Sequence, residues 1–214
     1  MDTLSFIKRH GIITVLRGIP GDKLMRTARA LYVGGVRLIE VTFDQLGSID
    51  ACANSIRALC GEFGCDVCIG AGTVMTKAQL VFAKEAGAKY IIAPNTDGDI
   101  VKMTKAAGLV SIPGALTPTE IVNAHSLGAD MVKIFPAGQF GPKYFAALKA
   151  PLAHIPLAAV GGVTPDNLGA FKKAGAEAFG ISTGIVKPEF LESGDYASIT
   201  ALASNFLEAF EKEI

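Results

Sequence analysis

Residues 89–136 read KYIIAPNTDGDIVKMTKAAGLVSIPGALTPTEIVNAHSLGADMVKIFP, in which three short apolar runs alternate with two amphipathic segments. The runs KYIIAP, GLVSIP and MVKIFP are rich in Ile and Val and each ends at a proline, which is typical of buried strands. Both segments between them begin with Thr and end with Gly, the usual residues at the two ends of a helix. The stretch therefore predicts strand, helix, strand, helix, strand.

The same alternation continues towards both ends of the chain. Nearly continuous apolar strands joined by single helices predict a parallel sheet covered by helices, and eight such units close most simply into a (β/α)8 TIM barrel. An open doubly wound sheet is the alternative, but no G-x-G-x-x-G follows the first run. We expect one α/β domain over residues 1–214, with a short N-terminal helix over roughly residues 2–10. The remaining strand candidates are IITVLR at 12–17, VRLIEVTF at 36–43, VCIGAGT at 67–73, LAAVGG at 157–162 and AFGIST at 178–183.

Composition and charge narrow the classes of partner. Lys plus Arg and Asp plus Glu both number 20, so the formal net charge of zero argues against a nucleic-acid partner or an anionic membrane surface. No apolar run resembles a signal peptide or approaches the roughly 20 residues needed to span a bilayer. We expect a cytoplasmic protein that acts on a small molecule.

Four cysteines, Cys52, Cys60, Cys65 and Cys68, lie in one segment, and two of them form a C-x-x-C. That spacing is compatible with a metal or redox site. However, no His lies near the segment, and Cys65 and Cys68 flank the start of an apolar strand rather than a helix. Free thiols acting as small apolar residues in a reducing compartment are the favoured interpretation.

Two charged residues interrupt predicted strands: Glu40 within LIEVTF and Lys133 within MVKIFP. A purely structural buried ion pair would contribute little, since apolar pairs of similar volume are often as stable or better by about 1–4 kcal/mol. A desolvated lysine, by contrast, has a lowered pKa and is a nucleophile towards a ketone, while a nearby carboxylate moves protons. The pair therefore predicts Schiff-base chemistry at the C-terminal end of the barrel.

Two anion sites are predicted around this pair. Gly161 and Gly162, which precede the helix start Thr-Pro-Asp, leave backbone N–H groups open to a phosphate, and Ser182 adds a hydroxyl. Arg17 and Thr73 are then available for a carboxylate. A tight turn at the glycines and a solvent-exposed Arg17 are the structural alternatives.

Six motifs along the chain resemble those of the class I aldolases of 2-keto-3-deoxy-6-phosphogluconate (KDPG). They are LIEVTF, IGAGTV, APN, SIPGALTPTE, VKIFPA and AVGGVTPDN, and the similarity runs from about residue 10 to the C-terminus. This family includes aldolases of 4-hydroxy-2-oxoglutarate and of 2-keto-3-deoxy-6-phosphogalactonate (KDPGal). The resemblance implies a (β/α)8 barrel, usually a homotrimer, that uses no metal or other cofactor beyond a covalent imine.

The resemblance also implies a role for each matching residue. Lys133 forms the imine and Glu40 is the general acid/base, acting through a bound water. The substrate-binding residues are Arg17 and Thr73 for the carboxylate, Phe135, Pro94 and Pro113 around the imine, and Gly161, Gly162 and Ser182 for the phosphate. This chain differs from many members at Asp44, where some carry an arginine, at Val160, where many have Thr, and in GIST, where GxGS is frequent.

We therefore predict an aldolase that cleaves a 2-keto-3-deoxy-6-phospho sugar acid, KDPG first, to pyruvate and D-glyceraldehyde 3-phosphate. Cleavage of 4-hydroxy-2-oxoglutarate to pyruvate and glyoxylate is a further expected activity. The alternatives are a KDPGal aldolase, a phosphate-binding isomerase or synthase that forms no covalent intermediate, and a sugar-phosphate sensor without turnover.

Overall fold

The computed structural model describes residues 1–212 and places all of the strands found there in one parallel sheet. Neighbouring strands follow the order β5-β4-β3-β2-β1-β9-β8-β7-β6. The strands are β1 (Ile12–Leu16), β2 (Leu38–Thr42), β3 (Cys68–Gly72), β4 (Tyr90–Ile92), β5 (Val110–Ile112), β6 (Gly114–Ala115), β7 (Val132–Ile134), β8 (Leu157–Val160) and β9 (Ala176–Ile181).

The sheet closes into a barrel at Pro113, the single residue between β5 and β6. Proline has no N–H group, so it interrupts the ladder and divides the fifth predicted strand into two short pieces. The divided strand still bonds to both neighbours, because Gly114 N donates to Asn95 O at 3.1 Å and Lys133 N donates to Pro113 O at 2.9 Å. The predicted (β/α)8 barrel with an N-terminal helix is thereby confirmed.

Helices separate the barrel strands along the chain, as the alternating pattern predicts. Three of them begin with a capping box in which a threonine, Thr76, Thr117 or Thr164, accepts from the backbone three residues on. The helices are α1 (Thr3–His10), α2 (Gly21–Val33), α3 (Ile49–Phe63), α4 (Lys77–Glu85), α5 (Gly98–Ala106), α6 (Pro118–Ser126), α7 (Ala137–Lys149), α8 (Pro165–Lys173), α9 (Pro188–Ser193) and α10 (Tyr196–Glu211). None of the helices within residues 1–212 is long and apolar enough to cross a bilayer.

Alternating strand residues form two cores. One set faces the helices, and the other fills the barrel interior, where Ile7 of α1 joins it. Because α1 packs against β9 and Lys8 pairs with Glu177 near the start of that strand, at 2.9 Å, α1 covers the N-terminal end of the barrel. The C-terminal end is left open. The interior set is Ile13, Leu38, Tyr90, Ile92, Val110, Ile112, Met131, Ala158, Val160 and Ala178.

Several strands end earlier than the sequence pattern predicts. The pattern predicts strands that include Arg17, Thr73 and Ser182. Each of these is instead the first residue after a strand, since β1, β3 and β9 end at Leu16, Gly72 and Ile181. Thr73 has a φ of 54°, which is incompatible with an extended ladder. These residues therefore lie in the loops at the mouth of the barrel.

Candidate active site

The open end of the barrel contains a pocket of about 700 Å³. Such a volume suits a small ligand, and polar groups converge on an otherwise largely apolar wall. Every site residue predicted from the sequence except Pro113 lines this pocket. These are Arg17, Glu40, Thr73, Pro94, Lys133, Phe135, Gly161, Gly162 and Ser182.

Lys133 and Glu40 extend into this pocket from opposite parts of the ring. Lys133 lies in the middle of β7 and is 7% exposed, while Glu40 lies in the middle of β2 and is 2% exposed. Small residues make room for both: Lys133 pairs with Gly114 and Ala158 on the two neighbouring strands. A Cβ atom at Gly72 would overlap the Glu40 carboxylate. These small neighbours leave space for both charged side chains at the open end of the barrel.

Burial shifts the pKa values of the two groups in opposite directions. Loss of hydration lowers the pKa of Lys133; Glu40 partly offsets this shift, and Arg17 lowers the pKa further. Loss of hydration raises the pKa of Glu40, and Lys133 and Arg17 partly offset that shift. The amine is therefore more readily neutral than an exposed lysine, and the carboxyl more readily protonated than an exposed glutamate. Those are the properties of a nucleophile beside a group that gives and takes protons.

The Lys133 amine is close to an aromatic ring and, within residues 1–212, forms no ion pair with a carboxylate. Its Nζ lies 5.0 Å from the centroid of the Phe135 ring, which is 43% exposed at the mouth. Within residues 1–212 no ion pair of 4.0 Å or less joins Lys133 to Glu40. The purely structural ion pair is thus not formed, and the amine is left accessible to a ligand.

Arg17 and Thr73 meet at one side of the mouth. Arg17 Nη2 donates to Thr73 Oγ1 at 3.5 Å, a long bond that a better acceptor can displace. Within residues 1–212, Thr73 is the one non-glycine residue with a positive φ, a conformation that costs of order 1–3 kcal/mol and persists only where the surroundings impose it. A guanidinium beside a hydroxyl provides donors for a carboxylate.

The opposite side of the mouth is formed by the loops after β8 and β9. Gly161 and Gly162 have φ values of 83° and 75°, which a side chain would strain, and Gly138 N donates to Gly161 O at 2.8 Å. Thr164, the N-cap of α8, also lines the pocket, so the positive end of that helix dipole faces the same region. Ser182 Oγ donates to Val15 O over 3.3 Å and can turn towards a ligand.

Pro113 corrects one expectation from the sequence. Strand alternation turns its side chain outwards, where it lines a small cavity between the sheet and α5 together with Ser111 and Val101. Its carbonyl accepts the bond from Lys133 N described above. Pro113 therefore contacts the site through its backbone and does not shape the pocket with its ring.

Sequence reasoning also missed part of the pocket wall. Val15, Val163 and Gly184 line it, as does Thr183 of the GIST motif beside the predicted Ser182, and Val160 fills the space left by the missing side chain of Gly180. The inward alternation of Val15 with Arg17 and of Val160 with Gly162 was a signal that could have identified the two valines. Gln45, whose amide donates to Thr73 O at 2.9 Å, lies in a loop and gave no such signal.

The four cysteines are free and none of them lines this pocket. Cys52 is buried and Cys68 is half-buried, and loss of hydration raises the pKa of both thiols to about 12. Within residues 1–212, no three His, Cys, Asp or Glu side chains are grouped so that they could hold a metal ion. Of the four, Cys52 is buried as a small apolar residue would be, whereas Cys65 is exposed to solvent.

Comparison with known proteins identifies the family. The model of the KDPG and KHG aldolase family matches residues 4–202. The chain belongs to this family. It is accordingly an aldolase, a carbon–carbon lyase, and the resemblance noted in its motifs is confirmed.

Curated relatives in this family carry different substrate names. The chain is 32% identical to the 2-dehydro-3-deoxy-6-phosphogalactonate aldolase of Escherichia coli, over 95% of this chain and 96% of that protein. It is 34% identical to the 2-dehydro-3-deoxy-phosphogluconate aldolase of Treponema pallidum, over 94% of each. A solved structure described as native KDPGal superposes with a TM-score of 0.84 at 31% identity, covering 94% of this chain and 95% of that one. Relatives named for either substrate are thus about equally similar to this chain.

Proposed function

We propose that this protein is a Schiff-base aldolase that cleaves a 2-keto-3-deoxy-6-phospho sugar acid to pyruvate and D-glyceraldehyde 3-phosphate. The observation that carries the proposal is the buried Lys133 amine with its lowered pKa, accessible to the same pocket as Glu40. KDPG is the first candidate substrate. KDPGal is the second, and the relative from Escherichia coli and the solved KDPGal structure favour testing it beside the first.

The first chemical step is attack by neutral Lys133 on C2 of the substrate. The nitrogen lone pair forms the C–N bond, the carbonyl oxygen takes a proton, and loss of water gives a protonated imine. The imine is an electron sink for the C3–C4 bond, whose electron pair moves to form an enamine. The pocket limits water around the amine, so the nitrogen remains neutral more readily than on the surface.

Glu40 is the group placed to move protons. As the C3–C4 bond breaks, the carboxylate accepts the proton of the C4 hydroxyl, directly or through a water, and the aldehyde leaves. The same proton is then returned to C3 of the enamine. Addition of water to the resulting imine releases pyruvate and restores the Lys133 amine. The raised pKa of Glu40 suits a group that must both accept and return a proton near neutrality.

The two sides of the mouth orient the substrate. Arg17 and Thr73 hold the carboxylate next to C2, while the segment around Gly161, Gly162 and Ser182 holds the phosphate at the far end. Phe135 and Pro94 form the wall between them. 4-Hydroxy-2-oxoglutarate lacks the phosphate, so it uses the first anion site alone for its C1 carboxylate and is expected to have the higher KM.

The decisive experiment is mass spectrometry after incubation with pyruvate and sodium borohydride. The expected result is one stable adduct that maps to Lys133 and is absent from Lys133→Ala and Lys133→Arg. If the folded protein forms no adduct, the proposed imine is wrong, and Lys133 would instead stabilise an enolate electrostatically. Release of pyruvate from KDPG, KDPGal and 4-hydroxy-2-oxoglutarate, coupled to lactate dehydrogenase, then ranks the substrates.

Two further features implied by the family resemblance belong to the same proposal. We expect a homotrimer, which light scattering on a sizing column tests through the mass of the assembly relative to the 22.3 kDa chain. We also expect full turnover after treatment with a chelator. A monomer, or loss of activity that a divalent metal restores, would contradict these two expectations respectively.

A further inference from the structure

Two glutamine side chains outside the pocket lining, those of Gln45 and Gln79, form a hydrogen-bonded amide relay that contacts the backbone of Thr73. Gln45, in the loop between β2 and α3, donates from Nε2 to Thr73 O at 2.9 Å. Its Oε1 accepts in turn from Gln79 Nε2 at 3.2 Å. Both ends of the Gln45 side chain are therefore occupied, and together they connect Thr73 to the first turn of α4.

Gln79 gives this relay a rigid base. Its side chain is 4% exposed, and its Oε1 accepts from Met75 N at 2.8 Å and from Thr76 N at 3.1 Å as part of the capping box of α4. Because these two N–H groups fix which end of the amide is the oxygen, Nε2 is the end that faces Gln45.

The loop that carries Gln45 is also ordered by local bonds. Asp44 Oδ1 accepts from Leu46 N at 3.0 Å, and Asp44 O accepts from Gly47 N at 3.3 Å. A short Asp side chain that bonds its own backbone two residues on is a usual way to form such a turn. Gln45 thus projects from a fixed turn, and its reach to Thr73 does not depend on a mobile loop.

The relay contacts Thr73, whose backbone conformation is unfavourable for a threonine. Thr73 has a φ of 54°, which a β-branched residue adopts only when its surroundings impose it, and its Oγ1 lies 3.5 Å from Arg17 Nη2. We propose that Gln45 is a positioning residue for the substrate carboxylate: it holds Thr73 in the left-handed conformation and so keeps the hydroxyl beside Arg17. This inference rests on the proposed function, in which Arg17 and Thr73 bind the carboxylate.

Exchange of pyruvate methyl protons for deuterium tests the relay without the phosphate half of the substrate. Proton NMR in D2O follows the exchange, which requires both imine formation and proton transfer at C3. Gln45→Ala and Gln45→Glu each remove the donor, and the second keeps the side-chain length and its acceptor atoms. We expect both to raise the KM for pyruvate about two- to tenfold, the effect of one neutral hydrogen bond, with kcat little changed. The matched control is Leu46→Ala, 99% exposed in the same turn, which should behave as the unmodified protein.

A double-mutant cycle distinguishes positioning from a general effect on the fold. If Gln45 acts through the Thr73 hydroxyl, Gln45→Ala adds nothing to the KM in a Thr73→Ala background. Suppose that Thr73→Ala raises the KM. The inference is then wrong if Gln45→Ala and Gln45→Glu leave the KM unchanged, or if the effects of Gln45→Ala and Thr73→Ala on the KM add. No effect of Thr73→Ala itself would overturn the carboxylate site and the relay together. An absence of exchange and of borohydride adduct in the unmodified protein would instead contradict the proposed function.

Discussion

Lys133 and Glu40 lie within one barrel interior without a direct ion pair between them, and burial moves their pKa values towards each other. A fully formed ion pair would keep the amine charged and the carboxylate deprotonated, and would suppress nucleophilic attack. Without that ion pair, an amine that can be neutral and a carboxyl that can carry a proton line the same pocket.

The first prediction concerns the titration of Lys133 itself. Glu40 raises and Arg17 lowers the pKa of this amine, against a larger lowering by burial. NMR of protein labelled with ¹³C at the lysine Cε should show one lysine titrating below the others and missing from Lys133→Arg. Its pKa should fall further in Glu40→Gln and rise in Arg17→Ala. Shifts with the opposite signs would show that the field in the pocket is not set by these two charges.

The second prediction is that the catalytic amine destabilises the fold at neutral pH. Because the folded-state pKa of Lys133 is lower than that of lysine in the unfolded chain, the unfolded chain binds more protons between the two values. The free energy of unfolding therefore rises with pH across that window, and the penalty is complete below the folded-state pKa. Lys133→Met should raise the free energy of unfolding at pH 7, and the gain should shrink as pH approaches the ordinary lysine pKa.

The comparison is best made in a Glu40→Gln background, in which the second buried charge is absent. Removing Lys133 alone would leave the Glu40 carboxylate without the cation that lowers its pKa, so both proteins should carry Glu40→Gln. Urea unfolding of Glu40→Gln and of the Lys133→Met, Glu40→Gln double variant, at several pH values, gives the comparison. A double variant that is less stable at pH 7 would show that Lys133 stabilises the barrel.

The third prediction separates imine formation from proton transfer. Glu40→Gln preserves the shape of the side chain but removes its capacity to accept a proton. We expect the borohydride adduct at Lys133 to persist, while methyl-proton exchange of pyruvate and substrate cleavage fall by about 10²–10⁴-fold, the usual contribution of a general acid/base. Equal loss of adduct and exchange would assign Glu40 to imine formation instead.

The strands and the barrel were predictable because they follow a simple alternation of apolar runs and amphipathic segments. The reactive pair was predictable because Lys133 and Glu40 interrupt that pattern. A lysine and a glutamate inside Val- and Ile-rich strands stand out without any structure, since burying either charge is costly. Pro113 was misplaced because its motif indicates only proximity to the pocket, whereas the direction of its side chain depends on where the fifth strand is divided.

Gln45 could not have been assigned in advance. Its contacts depend on how the loop after β2 lies against α4, and the two partners are 28 and 34 residues away along the chain. No local pattern encodes that distance. Likewise, the left-handed backbone of Thr73 has no signal in the sequence, because threonine disfavours it. The backbone conformation of Thr73 and its contact with Gln45 are therefore visible only in the structure.

A fourth prediction uses the cysteines. Cys65 is exposed, whereas burial raises the pKa of Cys52 and Cys68 to about 12. Iodoacetamide at pH 8 should therefore label Cys65 first, and should reach Cys52 and Cys68 only after unfolding, because the thiolate is the reactive form. Peptide mass spectrometry gives the order. Fast labelling of Cys68, or a reversible Cys65–Cys68 disulfide in native protein, would restore the redox interpretation of the C-x-x-C.

The last prediction concerns Gly72, which makes room for the catalytic carboxylate. Its φ lies outside the left-handed region, so Gly72→Ala carries no backbone strain, yet the new Cβ would overlap Glu40 Oε1 and its neighbouring side-chain atoms. The fold can absorb one methyl group by moving that side chain towards the open pocket. We expect a cooperative thermal transition close to that of the unmodified protein, a borohydride adduct that still forms at Lys133, and cleavage reduced towards the level of Glu40→Gln. Gly61→Ala, an α3 position where a Cβ meets open space, is the matched control. Full cleavage activity in Gly72→Ala would show that the position of Glu40 is less restricted than the packing around Gly72 indicates.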